Sequence, residues 1–174
     1  MKMHLTIAIV AMFLTVACFA GEVDINSDIK SGKKCIELNL DKNLGHGLGP
    51  FAYNAQKTGW GETYGGPTYA PNSHIQVGIG AGIESGQTST RFGGFLWLGR
   101  GKTSLLALGE DGGSGSFYRL EGKYSLDSKT TVGILQEKNL HTGLLVERKL
   151  DSNLTLRGRV YNKKEGDIGV RVAF

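Results

Sequence analysis

The stretch "DIGVRVAF" (Asp167–Phe174) decides how this chain is read. Ile168, Val170, Val172 and Phe174 fall on one side, Asp167, Gly169, Arg171 and Ala173 on the other, and the chain stops in mid-alternation on an aromatic residue. An unbroken period of two reads as a strand with one apolar face. Working back from it, the same rhythm recurs from about residue 74 in short runs separated by turn residues. These are His74–Glu84, Thr90–Gly99, Lys102–Gly109, Ser116–Leu126, Lys129–Glu137, Leu140–Leu150, Asn153–Tyr161 and Asp167–Phe174. Glycine inside the runs argues against helices, and Pro50, Pro67 and Pro71 all precede them. The sequence thus predicts eight antiparallel strands.

The connections alternate in character. "SLDSKT" (Ser125–Thr130) and "KLDSNL" (Lys149–Leu154) are near-identical tight turns, whereas "EDGGSG", "EKN" and "NKKEGD" are polar and charged. Placing the two kinds at opposite ends gives an up-and-down meander. Residues 21–72 are rich in Gly, Tyr and Pro. "KKCIELNLD" could be a strand, and the Gly/Tyr/Pro-rich stretch after it could hold two further strands, a plug or an ordered coil; if residues 35–58 add two strands, the total is ten.

The two faces of the strands differ sharply. One carries Tyr118, Leu120, Tyr124, Val132, Ile134, Leu144, Val146, Leu154, Leu156 and Val160. The other carries Arg119, Glu121, Lys123, Glu147, Lys149, Arg157, Arg159 and Arg171. Such a sheet closes either with the apolar face as a water-soluble core or with that face towards lipid. The segment Phe95–Leu98 is apolar on both sides and leaves its own orientation open.

The other end of the chain favours lipid. Lys2 precedes an apolar run from Leu5 to Ala20, with small residues at its boundary, which is the pattern of a secretory signal peptide over residues 1–20. The run is short for a membrane-spanning helix. A lipoprotein variant would use Cys18. Cleavage after Ala20 leaves Cys35 as a lone cysteine, so no intramolecular disulfide holds the domain. An exported chain of this kind satisfies its backbone in lipid only by closing a barrel. Acids and bases of both signs beside glycines on the polar face suit an interior ion-pair network of Arg119, Glu121, Lys123, Glu147, Lys149, Arg157, Arg159 and Arg171.

On the terminal strand "DIGVRVAF" and Phe174, the chain resembles bacterial outer-membrane β-barrel proteins. The resemblance covers about residues 73–174. It implies an outer-membrane location, contact with outer-membrane lipid, short periplasmic Asp-Ser turns, and an assembly signal at Phe174 read by the barrel assembly machinery. Phe92, Tyr118, Tyr124 and Phe174 would then contribute to interfacial aromatic girdles.

The resulting expectation is an all-β, up-and-down transmembrane barrel of eight strands over residues 73–174, preceded by a signal peptide and a Gly/Tyr/Pro-rich segment (21–72). Eight strands enclose an interior filled by side chains, so the expected role is structural or surface-interacting, with an unknown surface partner and no open pore. One alternative is a soluble periplasmic or secreted barrel with Leu144, Val146, Leu154 and Leu156 around an apolar ligand. Another is a lipid-modifying enzyme using His141 with Glu137 and Ser114 or Ser116, or His74 with Ser73 and Glu84.

Other motifs are weak. "GRGKTS" (Gly99–Ser104) has Leu96 where a phosphate-binding loop needs glycine, and "GIGAG" (Gly78–Gly82) lies inside a strand pattern. A net charge of +4 without a basic, aromatic-interleaved stripe gives no reason to invoke nucleic acid. No metal-ligand spacing or cofactor motif is present.

Overall fold

The computed structural model describes residues 20–42, 44–138, 140–162 and 165–174, and these form a closed antiparallel barrel of twelve strands. The strands are β1 (Ala20–Asp28), β2 (Lys34–Asp41), β3 (Leu48–Lys57), β4 (Trp60–Asn72), β5 (Ile75–Glu84) and β6 (Arg91–Arg100). They continue as β7 (Thr103–Asp111), β8 (Phe117–Ser125), β9 (Thr130–Glu137), β10 (His141–Lys149), β11 (Leu154–Tyr161) and β12 (Gly166–Ala173). Each strand pairs with its sequence neighbours, and β12 pairs with β1. The expected signal peptide lies outside the described residues, apart from Ala20.

The strand count corrects the expectation of eight, or ten. All eight predicted runs are strands, β5 to β12, but residues 20–72 supply four more to the same wall. The stretch "EVDIN" has the same period of two, with Val23 and Ile25 on one side and Glu22, Asp24 and Asn26 on the other. In β3 and β4 the signal fails for a physical reason. Pro50 and Pro67 are direct cross-strand partners, and the inward positions carry aromatic rings as often as charges.

Closure is literal at the termini. The Gly21 N–H donates to the Phe174 carbonyl at 3.1 Å, and the Phe174 N–H donates to the Gly21 carbonyl at 3.0 Å. An unpaired backbone group in hydrocarbon costs several kcal/mol, so lipid tolerates a sheet only when its first and last strands meet.

Both Asp-Ser turns are built alike. Asp127 Oδ1 accepts the N–H groups of Lys129 (2.7 Å) and Thr130 (2.8 Å), and Asp151 Oδ1 accepts those of Asn153 and Leu154 (both 2.8 Å). The two N–H donors hold the Asp127 carboxyl below its ordinary range. These turns lie at the terminal end, the one that carries Ala20 and Phe174. The "EDGGSG" connection lies at the opposite end.

The outer surface is an apolar belt. Ile79, Ile83, Ile134, Leu144, Val160 and Ile168 are all more than half exposed. Such exposure has a physical basis only if lipid covers it. Tyr124 and Phe174 stand outward near the terminal end, Phe92 and Tyr118 near the opposite end, and all four are exposed.

Candidate functional site: a charged lumen with one aromatic wall

Register fixes which side chains face inward. The inward rows carry Glu22, Asp24, Asp28, Glu37, Asp41, Glu62, Glu84, Glu110, Glu121, Glu137, Glu147 and Asp167. Against these stand Lys57, Arg91, Arg119, Lys123, Lys149, Arg157, Arg159 and Arg171. Among the described strands, twelve carboxylates therefore face eight cations. Leu144, Val146, Leu154 and Leu156 point the other way, with Leu144 65% exposed. That placement overturns the reading of a soluble barrel with these residues around an apolar ligand.

Seven of the eight residues expected to form an interior network make ion pairs inside the barrel. Arg119 Nε bonds Glu137 Oε2 at 3.0 Å, and Arg159 Nε bonds Asp167 Oδ1 at 2.8 Å. Lys123 Nζ lies 2.9 Å from Glu121 and 3.0 Å from Glu147. Arg171 reaches Glu22 (3.3 Å), Asp24 (3.1 Å) and Glu147 (3.7 Å). Arg157 contacts Asp24 (3.3 Å), Glu121 (3.4 Å) and Glu147 (3.6 Å). Lys149 is exposed and lines a cavity of about 290 Å³ at the terminal mouth with Glu22, Asp127, Arg171 and others.

Sequence reasoning missed half of this lining. Glu22 and Asp24 lie in the segment that gave no eight-strand signal. At the opposite mouth, Arg91 is ringed by Glu62 (3.2 Å), Glu84 (3.0 Å) and Glu110 (3.0 Å), and it also donates to the carbonyls of Gly112 and Gly115. Trp60 Nε1 donates to Glu84 and the Tyr64 hydroxyl to Glu110, each at 2.5 Å. No spacing rule links these residues: the Tyr64–Glu110 hydrogen bond alone joins positions 46 apart in sequence.

The inner wall of β3 to β6 is different. Phe51, Tyr53, Tyr64, Phe95 and Trp97 face inward, opposite the charged wall of β8 to β12 and β1. Phe51 meets Phe95 edge-on at 5.4 Å and Tyr64 at 6.3 Å, and Tyr53 lies 5.0 Å from Tyr64. Glycines make room for these rings: a Cβ on Gly78 would lie 2.3 Å from the Phe95 ring, and one on Gly80 2.9 Å from Phe51. The segment Phe95–Leu98, ambiguous in sequence, puts Phe95 and Trp97 inward and Leu96 and Leu98 outward.

Of the two histidine sets, His141 is the direct cross-strand partner of Glu137, whereas His74 and Glu84 lie at opposite ends of β5. Glu137 is held by Arg119 and by the Tyr161 hydroxyl (3.3 Å), while Glu84 accepts the backbone N–H of Ser114 (2.9 Å). His74 Nδ1 lies 2.9 Å from the Gly99 carbonyl oxygen at the terminal end, and His141 sits at the opposite end.

Comparisons with known proteins find no matching family model and no matching curated protein. Among solved structures, the KdgM porin is similar with a TM-score of 0.62 at 16% identity, covering 88% of this chain and 99% of that one. A structure described as the KdgM porin in complex with disordered oligogalacturonate gives a TM-score of 0.60 at 16% identity, covering 89% and 99%. The NanC porin gives 0.54 at 13% identity, covering 89% and 99%. Twelve strands and likeness to porins overturn the expectation of a barrel without an open pore, because that expectation rested on an eight-strand interior too narrow for anything but its own side chains. With its closed wall, apolar belt and porin-like fold, the chain is a small outer-membrane β-barrel protein of bacteria.

Proposed function

We propose that the chain is an outer-membrane channel for small hydrophilic solutes that favours cations over anions. The observation that carries this reading is the inward face of the closed wall, charged from one mouth to the other with carboxylates in excess. Charged linings in a narrow, low-dielectric conduit concentrate the opposite ion and repel the like one. Oligogalacturonate, named with one KdgM structure, is a polyanion and a poor match to this excess. The test is the purified barrel in a planar bilayer under a potassium chloride gradient. The expected reversal potential has the sign of a cation-preferring pore; an anion-preferring sign, or no conductance in any preparation, contradicts the reading.

The aromatic wall favours a second reading of the same lumen, as a path for neutral saccharides. Rings in mutual contact along β3, β4 and β6 offer apolar surface to pyranose faces, beside carboxylates that accept hydroxyl hydrogen bonds. In liposome-swelling assays, Phe95→Ala is expected to slow a neutral disaccharide relative to a linear polyol of equal mass. An unchanged ratio assigns the rings to packing alone.

A further inference from the structure

We infer that Arg157 is a side-chain latch that sets the bore of the channel. Its guanidinium holds Asp24 on β1 through Nη1 (3.3 Å) and Glu121 on β8 through Nη2 (3.4 Å). Along the wall, β1 and β8 are separated by β12, β11, β10 and β9, five steps in a ring of twelve, one short of diametrically opposite. The three side chains Asp24, Arg157 and Glu121 in series therefore cross the lumen between nearly opposite strands, a bridge that suits a forked guanidinium and not a point-like ammonium. Arg157 is 3% exposed and Asp24 1%, so the crossing excludes water where it lies.

Two neighbouring features make this crossing the seat of control. Lys123 and Arg171 brace it from the terminal side through Glu121, Glu147 and Asp24. Leu135, Leu145 and Tyr161 close the lumen beside it as a small buried cluster. Yet Arg157 Nε and both amide atoms of Asn26, whose register partner Gly169 also pairs with Arg157, have no hydrogen-bond partner. The arrangement is thus held by three ion pairs, the third from Nε to Glu147 at 3.6 Å, yet is incompletely satisfied in hydrogen bonds, which leaves the guanidinium neighbouring carboxylates to exchange between.

This inference rests on the channel reading, and the experiment separates the two. Single-channel conductance and reversal potential are measured in planar bilayers for the native chain, Arg157→Ala, and the double variant Asp24→Asn with Arg157→Gln. Heat-modifiable gel mobility selects folded protein for each, and Arg148→Ala, on the outward face, serves as the control. Arg157→Ala is expected to raise conductance severalfold and to move the reversal potential further in the cation direction. The double variant removes the crossing while leaving the net charge unchanged, so it is expected to raise conductance with little change in reversal potential; it also leaves fewer buried unpaired carboxylates and folds if the single variant does not. Conduction by the variants with a silent native chain also supports the latch. A conducting native chain with unchanged conductance in folded variants overturns the latch and leaves the channel standing. Silence in all three overturns both.

Discussion

At the scale of single residues, the wall of the barrel is set by what each position must avoid. Gly82 faces inward on β5, and a Cβ there would lie 2.1 Å from the Thr63 carbonyl oxygen and 2.1 Å from Tyr64 Cβ. Backbone cannot yield as a flexible side-chain tip can, so Gly82→Ala displaces the β4–β5 pairing. Gly158, on the outward face of β11, has nothing within 4 Å of the same construction. Gly82→Ala is expected to lower the yield of heat-modifiable barrel by severalfold, while Gly158→Ala leaves it unchanged; equal yields would show that the inner wall has slack. Buried charge obeys a similar rule. Removing one partner of a buried pair typically costs about 3–5 kcal/mol, whereas the intact pair adds little net stability. The interior lattice is therefore better understood as lining than as reinforcement.

At the scale of elements, β12 carries the largest number of duties. It pairs with β11 and β1, supplies Arg171 and Asp167 to the lumen, and presents Ile168, Val170 and Val172 outward. Phe174 follows it at the rim, its backbone exchanging two hydrogen bonds with Gly21. The assembly role assigned to Phe174 by resemblance has a direct measurement. Deleting it is expected to leave export intact and to lower the folded, membrane-inserted fraction; unchanged insertion would leave Phe174 as one more interfacial aromatic. The strands β5 and β8 to β12 were legible because an inner row largely of polar residues or glycine opposite an apolar outer row produces a clean period of two, whereas β6 and β7 carry apolar residues on both rows. The strands β3 and β4 were not, because rings occupy much of their inner row while their outer one mixes Pro50, Pro67, Gly61 and Gly65 with the polar Asn54, Gln56 and Thr63. Four missed strands are enough to change a filled interior into a lumen.

At the scale of the whole molecule, the proposed channel would be governed by the division of its interior into a charged wall and an aromatic wall. Acidification neutralises carboxylates and leaves the eight inward cations charged. The cation preference expected at neutral pH should therefore weaken and then reverse as pH falls, read as a change of sign in the reversal potential. A preference independent of pH would mean that the lining carboxylates do not face the conducting path.

The sequence by itself determined the period of two, the polarity of the two faces, the tight Asp-Ser turns and the terminal aromatic strand. Those are local properties, written by residues two to four apart, and they suffice for an outer-membrane barrel. Only the tertiary structure decided the number of strands and the partners of each charge. Asp24 and Arg157 are 133 positions apart, and Arg171 and Asp24 147. Which acid meets which base depends on how many strands lie between them when the wall closes, and closure is a property of the whole ring.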